Sequence, residues 1–310
     1  MAAITRNDLN ANILQTWLYR QTLEVFEPQL YFHKYGTKPT VPGGYNTVSW
    51  AKFDQIAASS VTTGTTSNDG VTPNDTDFDA TVITATPVQY RIVVNLSDQL
   101  IQYNVIAFVE GALKAIGDAM ARKIDTVIQT TIMAGDNVIY ADPANNSART
   151  DLAATDVLTA QLLNRSNAFL MNKNAPTFDG SYVAVAHPYQ IFDLRSETGT
   201  GNWLDVNKYV TADKIFKGEI GMLNGVRVVQ SQNVQTFSST VTVYPCLVLG
   251  SGAYGVTEWQ SLKVYTTPMV ASDSDPLAQR MKVGAKMAFA TTILQQNAMV
   301  RVETGATNIG

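Results

Sequence analysis

Histidine occurs only twice and cysteine once in these 310 residues, so the side chains that build most metal centres and nucleophilic active sites are nearly missing. A single thiol cannot form an intramolecular disulfide and fits a reducing compartment. Cys246 stands in the apolar run Val241-Thr-Val-Tyr-Pro-Cys-Leu-Val-Leu249, which reads as a buried strand where a thiol acts as an inert small hydrophobe. Neither His33 nor His187 has a metal-ligand spacing, and His187, just before Pro188 at a strand-to-helix junction, is expected to hydrogen-bond that turn rather than act as a base. There is no Lys/Arg-rich run, which excludes a basic groove for nucleic acid, although a protein that only encloses nucleic acid needs none. The chain also lacks a signal-peptide core in its first residues and any apolar stretch approaching the roughly 18 residues of a membrane span. A soluble protein made in the cytoplasm is the expectation.

Charge itself is scarce. Charged residues make up 15% and the formal net charge is -4, so much of the polar surface must come from Thr, Ser, Asn and Gln, a composition suited to meeting other protein. No Gly-rich phosphate loop follows a strand, and Gly199-Thr-Gly201-Asn reads as a plain loop. Asp75-Thr-Asp77-Phe-Asp79 imitates the start of a calcium loop, but Ala80 and Thr86 stand where the turn glycine and the bidentate glutamate belong, which leaves a solvated acidic loop. Internal repeats are absent too, so a solenoid or propeller is disfavoured. These absences predict no catalytic residue, no cofactor and no metal.

What is present is one long amphipathic helix over 104–133. Asn104 is placed as its N-cap, Tyr103 and Phe108 as a hydrophobic staple, and Gly135 as its close. Val105, Val109, Leu113, Ile116, Met120, Ile124 and Val127 form one apolar stripe, while Glu110, Lys114, Asp118 and Arg122 make a charge ladder of alternating sign. At a rise of about 1.5 Å per residue the rod would be on the order of 45 Å long, a girder more than a pocket wall. Gly111 and Gly117 interrupt it, either for a close backbone approach or as tolerated residues.

Before this spine, residues 1–38 carry a helix-like spacing (Leu14, Trp17, Leu18, Leu23) but too little core to stand alone. Residues 39–95 read as a long hairpin, Thr47 to Phe53 outward and Thr81 to Val94 back, with its tip near Thr62 to Asp75. Lys52 and Arg91 against Asp54, Asp69, Asp75, Asp77 and Asp79 give that segment a charge of -3. After the spine come a polar stretch over 136–150, a helix over Asp156 to Met171, a strand over Ser181 to Ala186, a short helix from Pro188 to Arg195 and a strand over Val226 to Gln230. Five strands then close the chain: 241–249, 253–258, 263–270, 281–294 and 298–303.

This order, together with Asp69-Gly-Val-Thr-Pro73, Val94-Asn-Leu-Ser-Asp98, His187-Pro with Asp193-Leu-Arg195, and Phe216-Lys-Gly-Glu-Ile-Gly221 followed by Gly225-Val-Arg-Val-Val229, resembles the major capsid proteins of tailed bacteriophages. Among them it is similar to the N-four-like phage coat family. The resemblance covers nearly the whole chain and implies an α+β, Hong Kong 97-like capsid fold, shared with herpesvirus floors and encapsulins. By that resemblance, residues 1–38 would be the N-terminal arm, 39–95 the extended loop, 96–150 with 246–310 the peripheral domain, and 151–245 the axial domain.

The implied function is a non-enzymatic major capsid protein that self-assembles into pentamers and hexamers of an icosahedral shell around double-stranded DNA. Its partners would be copies of itself, a separate scaffolding protein (the chain begins directly at the arm), a portal and a cement protein, with no membrane and no sequence-specific DNA contact. The implied location is the virion capsid, assembled in the host bacterial cytoplasm. Trp50, Phe53 and Tyr90 on the loop and Glu110, Lys114, Asp118 and Arg122 on the spine are the candidate subunit-interface residues, the alternative for the aromatics being packing on their own subunit. Some members of the fold crosslink through an extended-loop lysine. Lys52 is the only Lys in the hairpin but lies near its start, and is read as solvent-facing. An encapsulin-like compartment, a tail or decoration protein and a soluble hydrolase are the competing readings, the last with little chemistry available to it.

Overall fold

The computed structural model describes residues 31–39, 46–53, 56, 58–61, 70, 72, 75–102, 108–142, 144–197, 219–271 and 275–307. The arm spacing before residue 31, most of the hairpin tip, the Asn104 cap with its Tyr103–Phe108 staple, and the Gly199 loop lie outside them. Along the chain run α1 (Phe32–Tyr35), β1 (Val48–Phe53), β2 (Ala80–Ala85), β3 (Val88–Ser97), α2 (Asp98–Gln102), α3 (Phe108–Met133) and β4 (Val138–Tyr140). Then follow α4 (Ala160–Asn172), β5 (Tyr182–Ala186), α5 (Pro188–Ser196), β6 (Glu219–Leu223), β7 (Val226–Gln230), β8 (Phe237–Ser238), β9 (Thr242–Leu249), β10 (Tyr254–Thr267), β11 (Arg280–Ile293) and β12 (Met299–Thr304).

The spine helix α3 packs its expected stripe, Val109, Leu113, Ile116, Met120, Ile124 and Val127, on an antiparallel sheet of order β10-β11-β3. Val283, Ala285, Met287 and Phe289 of β11 and Leu96 of β3 meet that stripe, because alternate strand residues share a face. Its last turns do something else. Ile128, Ile132 and Met133 enter a second core with Phe32, Val183, Leu247 and Tyr254, so α3 is gripped by two cores in succession. Gly135 is buried just beyond its end, where a Cβ would come within 2.6 Å of Met299 Cε and 3.1 Å of Ile132 O, so a larger residue would have to displace the Met299 side chain of β12.

The second layer is a seven-stranded mixed sheet of order β4-β12-β9-β5-β7-β6, with β8 paired to β9. Leu158, Leu162, Leu163 and Leu170, before and within α4, and Ile191 and Leu194 of α5 cover one of its faces in a third core. Strands β4 and β12 come from segments expected in a separate domain, and the expected boundary at 245 falls inside β9, between Pro245 and Cys246.

Several elements differ from expectation for local reasons. The two strands over 253–258 and 263–270 are one 14-residue strand, β10, whose register against β11 shifts between Glu258 and Gln260 and between Gln260 and Lys263. Bulges there re-aim the chain without ending the pairing. The hairpin's return limb is instead cut at Thr86–Pro87: β2 stays with β1, and β3 pairs with β11. Helix α4 starts at Ala160 rather than Asp156, because the Asp156 carboxylate accepts from Ala153 N (2.8 Å) and Asn146 Nδ2 (2.8 Å), while Thr159 caps the helix by accepting from Leu162 N (3.3 Å). The polar stretch after the spine contains β4, held parallel to β12.

A Cβ at Gly111 or Gly117 would meet nothing within 4 Å, so no close approach inside the subunit explains either glycine. Each substitution to Ala is expected to raise subunit stability by up to about 1 kcal/mol through helix propensity. Urea unfolding of the unassembled chain checks this, and a loss of stability would mean the helix is strained at these positions.

Candidate interaction surfaces

The hairpin β1–β2 is a two-stranded sheet that touches β11 near its base, where Ala85 is buried, and among the described residues has no layer to pack on beyond that. Its ladder runs from Val48↔Ala85 at the base to Phe53↔Ala80 at the far end. Trp50 secures the base: it is half-buried, and a Cβ added at Gly255 of β10 would lie 3.0 Å from its ring. Phe53 stacks on Phe78 at 5.5 Å between centroids with planes 13° apart, yet stays 63% exposed. Ile56, Val61, Phe78 and Val82 are likewise more than half exposed, so the part of the hairpin away from Trp50 is an apolar surface in water.

The remaining candidate residues divide. Tyr90 packs on its own subunit, stacked on Phe289 at 5.0 Å with the Lys123 ammonium 5.7 Å from its ring centroid. Glu110, Lys114 and Arg122 are exposed and Asp118 is half-buried, all on the side of α3 turned from the apolar stripe. Lys52 is exposed on β1. Hairpin aromatics and spine ladder are therefore not brought together into one site.

Two internal polar clasps were not foreseen. In α3, Asp125 and Gln129 are fully buried. The Asp125 carboxylate accepts from Phe32 N (3.0 Å), Asn233 Nδ2 (3.2 Å) and Gln129 Nε2 (3.3 Å), while Gln129 donates to Asn233 O (2.7 Å) and accepts from Gln235 N (2.9 Å). Tyr254 adds a hydroxyl bond to Phe32 O. Burial raises the Asp125 pKa, against the lowering effect of the hydrogen bonds it accepts. The second clasp centres on Glu303 of β12, also fully buried. Arg149 binds it with both nitrogens, Nε to Oε2 at 2.7 Å and Nη2 to Oε1 at 2.6 Å, and lies over Phe237 at 3.7 Å. Arg301 Nε stands 2.7 Å from Oε1 outside hydrogen-bonding direction, and its Nη1 donates to Met133 O at the end of α3. A carboxylate at a spacing that puts it on an apolar helix face, as Asp125 is between Ile124 and Ile128, was the one available sequence signal.

His187 and Cys246 both hold structural positions. His187 is the N-cap of α5: its Nδ1 accepts from Tyr189 N (3.2 Å), its own N–H donates to Gln190 Oε1 (3.0 Å), and burial lowers its pKa. Burial pushes the Cys246 thiol up to about 12. Native protein is therefore expected to leave Cys246 unlabelled by thiol reagents over hours at neutral pH, with labelling complete on unfolding in urea. Rapid labelling of the native chain would contradict its burial. Among the described residues no group of three or more His, Cys, Asp or Glu is placed to hold a metal, and no helix is long and apolar enough to cross a membrane.

A two-stranded hairpin, a spine helix under a three-stranded sheet and a helix-covered mixed sheet together make a fold that solved phage capsid structures share. The capsid of Ralstonia phage GP4 superposes with a TM-score of 0.73 at 16% identity, covering 100% of this chain and 99% of that one. The Cyanophage Pam1 capsid asymmetric unit gives 0.74 at 13% identity with 99% of both chains covered, and Mycobacterium phage Che8 gives 0.68 at 16% with 95% and 98% covered. A search of curated protein sequences finds no match. The family model described as phage capsid protein matches residues 80–302, and the chain belongs to that family. It is a structural protein of the virion shell, a phage major capsid protein with an α+β capsid fold, as the sequence resemblance implied.

Proposed function

We propose that this major capsid protein closes on copies of itself into pentamers and hexamers of an icosahedral shell that encloses double-stranded DNA. The observation that carries the reading is the β1–β2 hairpin, whose Phe53, Ile56, Phe78 and Val82 are exposed and, among the described residues, lie on no sheet or helix layer. A neighbour is the natural cover, and head-to-tail contacts of this kind close into rings. Residues 39–95 act as the extended loop and 1–38 as an arm. The peripheral unit is α3 with the β10-β11-β3 sheet, and the axial unit is the mixed sheet with α4 and α5, which β12 and then β4 extend beyond β9. A separate scaffolding protein, a portal and a cement protein complete the assembly, which takes place in the host cytoplasm.

Electron microscopy of the expressed protein, alone and with a scaffolding protein, tests the assembly: closed shells are expected. Nuclease-protected DNA in particles from infected cells tests the contents. A chain that stays monomeric under all conditions, or that forms only tubes, overturns the reading, and particles filled with a co-purifying enzyme instead of DNA make it a compartment shell.

A further inference from the structure

One face of the β10-β11-β3 sheet rests on α3, and on the other, left open by the described residues, Arg91, Val93, Lys263, Tyr265 and Lys282 are exposed. Strand alternation places Gln89, Arg91, Val93 and Asn95 of β3 on the open face, since Tyr90, Ile92, Val94 and Leu96 pack on the helix side. In β11, Lys282, Gly284, Lys286 and Ala288 share that face, and pairing adds Lys263, Tyr265 and Thr267 of β10. Four of these residues are basic and none is acidic, in a chain whose formal charge is -4.

The register sharpens this. Lys263 is paired with Lys286, and Lys286 with Arg91, so three positive side chains stand directly opposite one another across three strands. Like charges opposite each other oppose sheet pairing. Lys286 leans on the Tyr265 ring at 5.1 Å, and among the described residues none of the four makes an ion pair. Lys282 extends the basic surface along β11, opposite Asn95 and Thr267. No Lys/Arg-rich run announces this face, because the fold gathers it from residues almost 200 positions apart.

The complement is in the same chain. Asp75, Asp77 and Asp79 are exposed at alternate positions leading into β2, and make no ion pair among the described residues. Three carboxylates spread over at most about 14 Å of chain face a basic row about 10 Å wide, set by strand spacings near 4.8 Å. Long Lys and Arg side chains cover the difference. Within one subunit the six residues of β2, about 20 Å of strand, stand between the acids and β3, and the described residues form no ion pair between the two charge sets.

We propose that the open face of the β10-β11-β3 sheet is the seat for the acidic segment of a second copy of this chain, with Asp75, Asp77 and Asp79 neutralising Arg91, Lys263 and Lys286. This rests on the shell reading above and gives its hairpin a landing site. Charge pairing of this kind sets register and rejects wrong partners more than it supplies affinity. The apolar hairpin residues supply the burial.

A charge swap tests it. Three chains are compared with wild type for shell yield by sedimentation and electron microscopy: D75K/D77K/D79K, R91E/K263E/K286E, and the two sets combined. Each set alone is expected to lower shell yield by about tenfold or more, and the combination to recover most of it. Thermal unfolding of the unassembled chains separates misfolding from misassembly, and the milder pair D77N and K286Q replaces any set that fails to fold, with a smaller loss that 0.5 M salt reproduces in the wild type. Normal shells from each reversed set, or no recovery in the combination, overturn the proposal. Normal shells that hold less DNA when the basic row is reversed also overturn it and assign the face to phosphate. A wild type that forms no shells at all refutes the shell reading itself, a distinguishable result.

Discussion

Replacing Glu303 with Ala is expected to destabilise the unassembled subunit by about 3–5 kcal/mol, the usual penalty for removing one member of a buried ion pair. The cost comes from what is left behind. Arg301 is almost as buried as Glu303, with 11% of its side chain exposed, and without the carboxylate its guanidinium keeps the Met133 carbonyl and the Phe237 ring at 5.7 Å but no counter-charge among the described residues. Arg149 is 34% exposed and can turn to water, so it adds less. For the same reason Arg149→Ala should cost less than Glu303→Ala, since Glu303 would still face Arg301. Glu303→Gln keeps shape and one acceptor and should fall between the two. Urea unfolding with an unchanged slope is the measurement, and a Glu303→Ala chain within about 1 kcal/mol of wild type would show that the clasp carries no net stability.

Asp125→Ala is the second large effect, about 3 kcal/mol. The substitution strips Phe32 N–H and Asn233 Nδ2 of their acceptor inside a core, and each buried donor left unpaired costs about 1–3 kcal/mol. It also unties residues 31–35 from the spine, so protease cleavage near α1 should rise in the unassembled variant while the α3–sheet core stays protected. Asp125→Asn keeps one acceptor but turns an amide towards two other amide donors. Its pH dependence has a definite sign. Burial raises the folded pKa of Asp125, so the folded chain holds that proton more tightly than the unfolded chain does. The stability this linkage contributes is complete below the ordinary carboxylate range and is lost as pH rises through the raised value. The lead of wild type over Asp125→Asn should therefore shrink with rising pH in that window, and a lead that grows instead would mean the carboxylate is held ionised.

Long periodic segments were legible in the sequence and short or nonlocal ones were not. The stripe from Val109 to Val127 reads directly as a helix face because 3.6-residue periodicity is a local property, and α5 was legible from Pro188 at its first turn. Strand β4 was missed because three residues inside a polar stretch carry no period; only their partner β12 makes them a strand. Strand β6 was missed although Asn224-Gly225 is a two-residue hairpin signal, with both residues at positive φ (49° and 78°) between β6 and β7. The bulged β10 looked like two strands because the shifts of register interrupt its alternation. Of the candidate interface residues, the aromatics were named as anchors from residue type alone, which does not say what each one meets. Trp50 and Tyr90 find theirs within the subunit, while Phe53 retains a free face. The basic face is the clearest case of information that exists only after folding, since pairing register alone puts Arg91, Lys286 and Lys263 in a row.

The double grip on α3 has a mechanical consequence. A helix held in one core by Ile116 and Met120 and in another by Ile128 and Ile132 cannot tilt in the first without repacking the second. The Arg301 bond to Met133 O fastens its far end to the mixed sheet as well. Each subunit is thus a stiff tile whose internal angles are set once, when it folds. In the shell proposed above, curvature is then expected to come from the contacts between subunits and not from bending of the subunit.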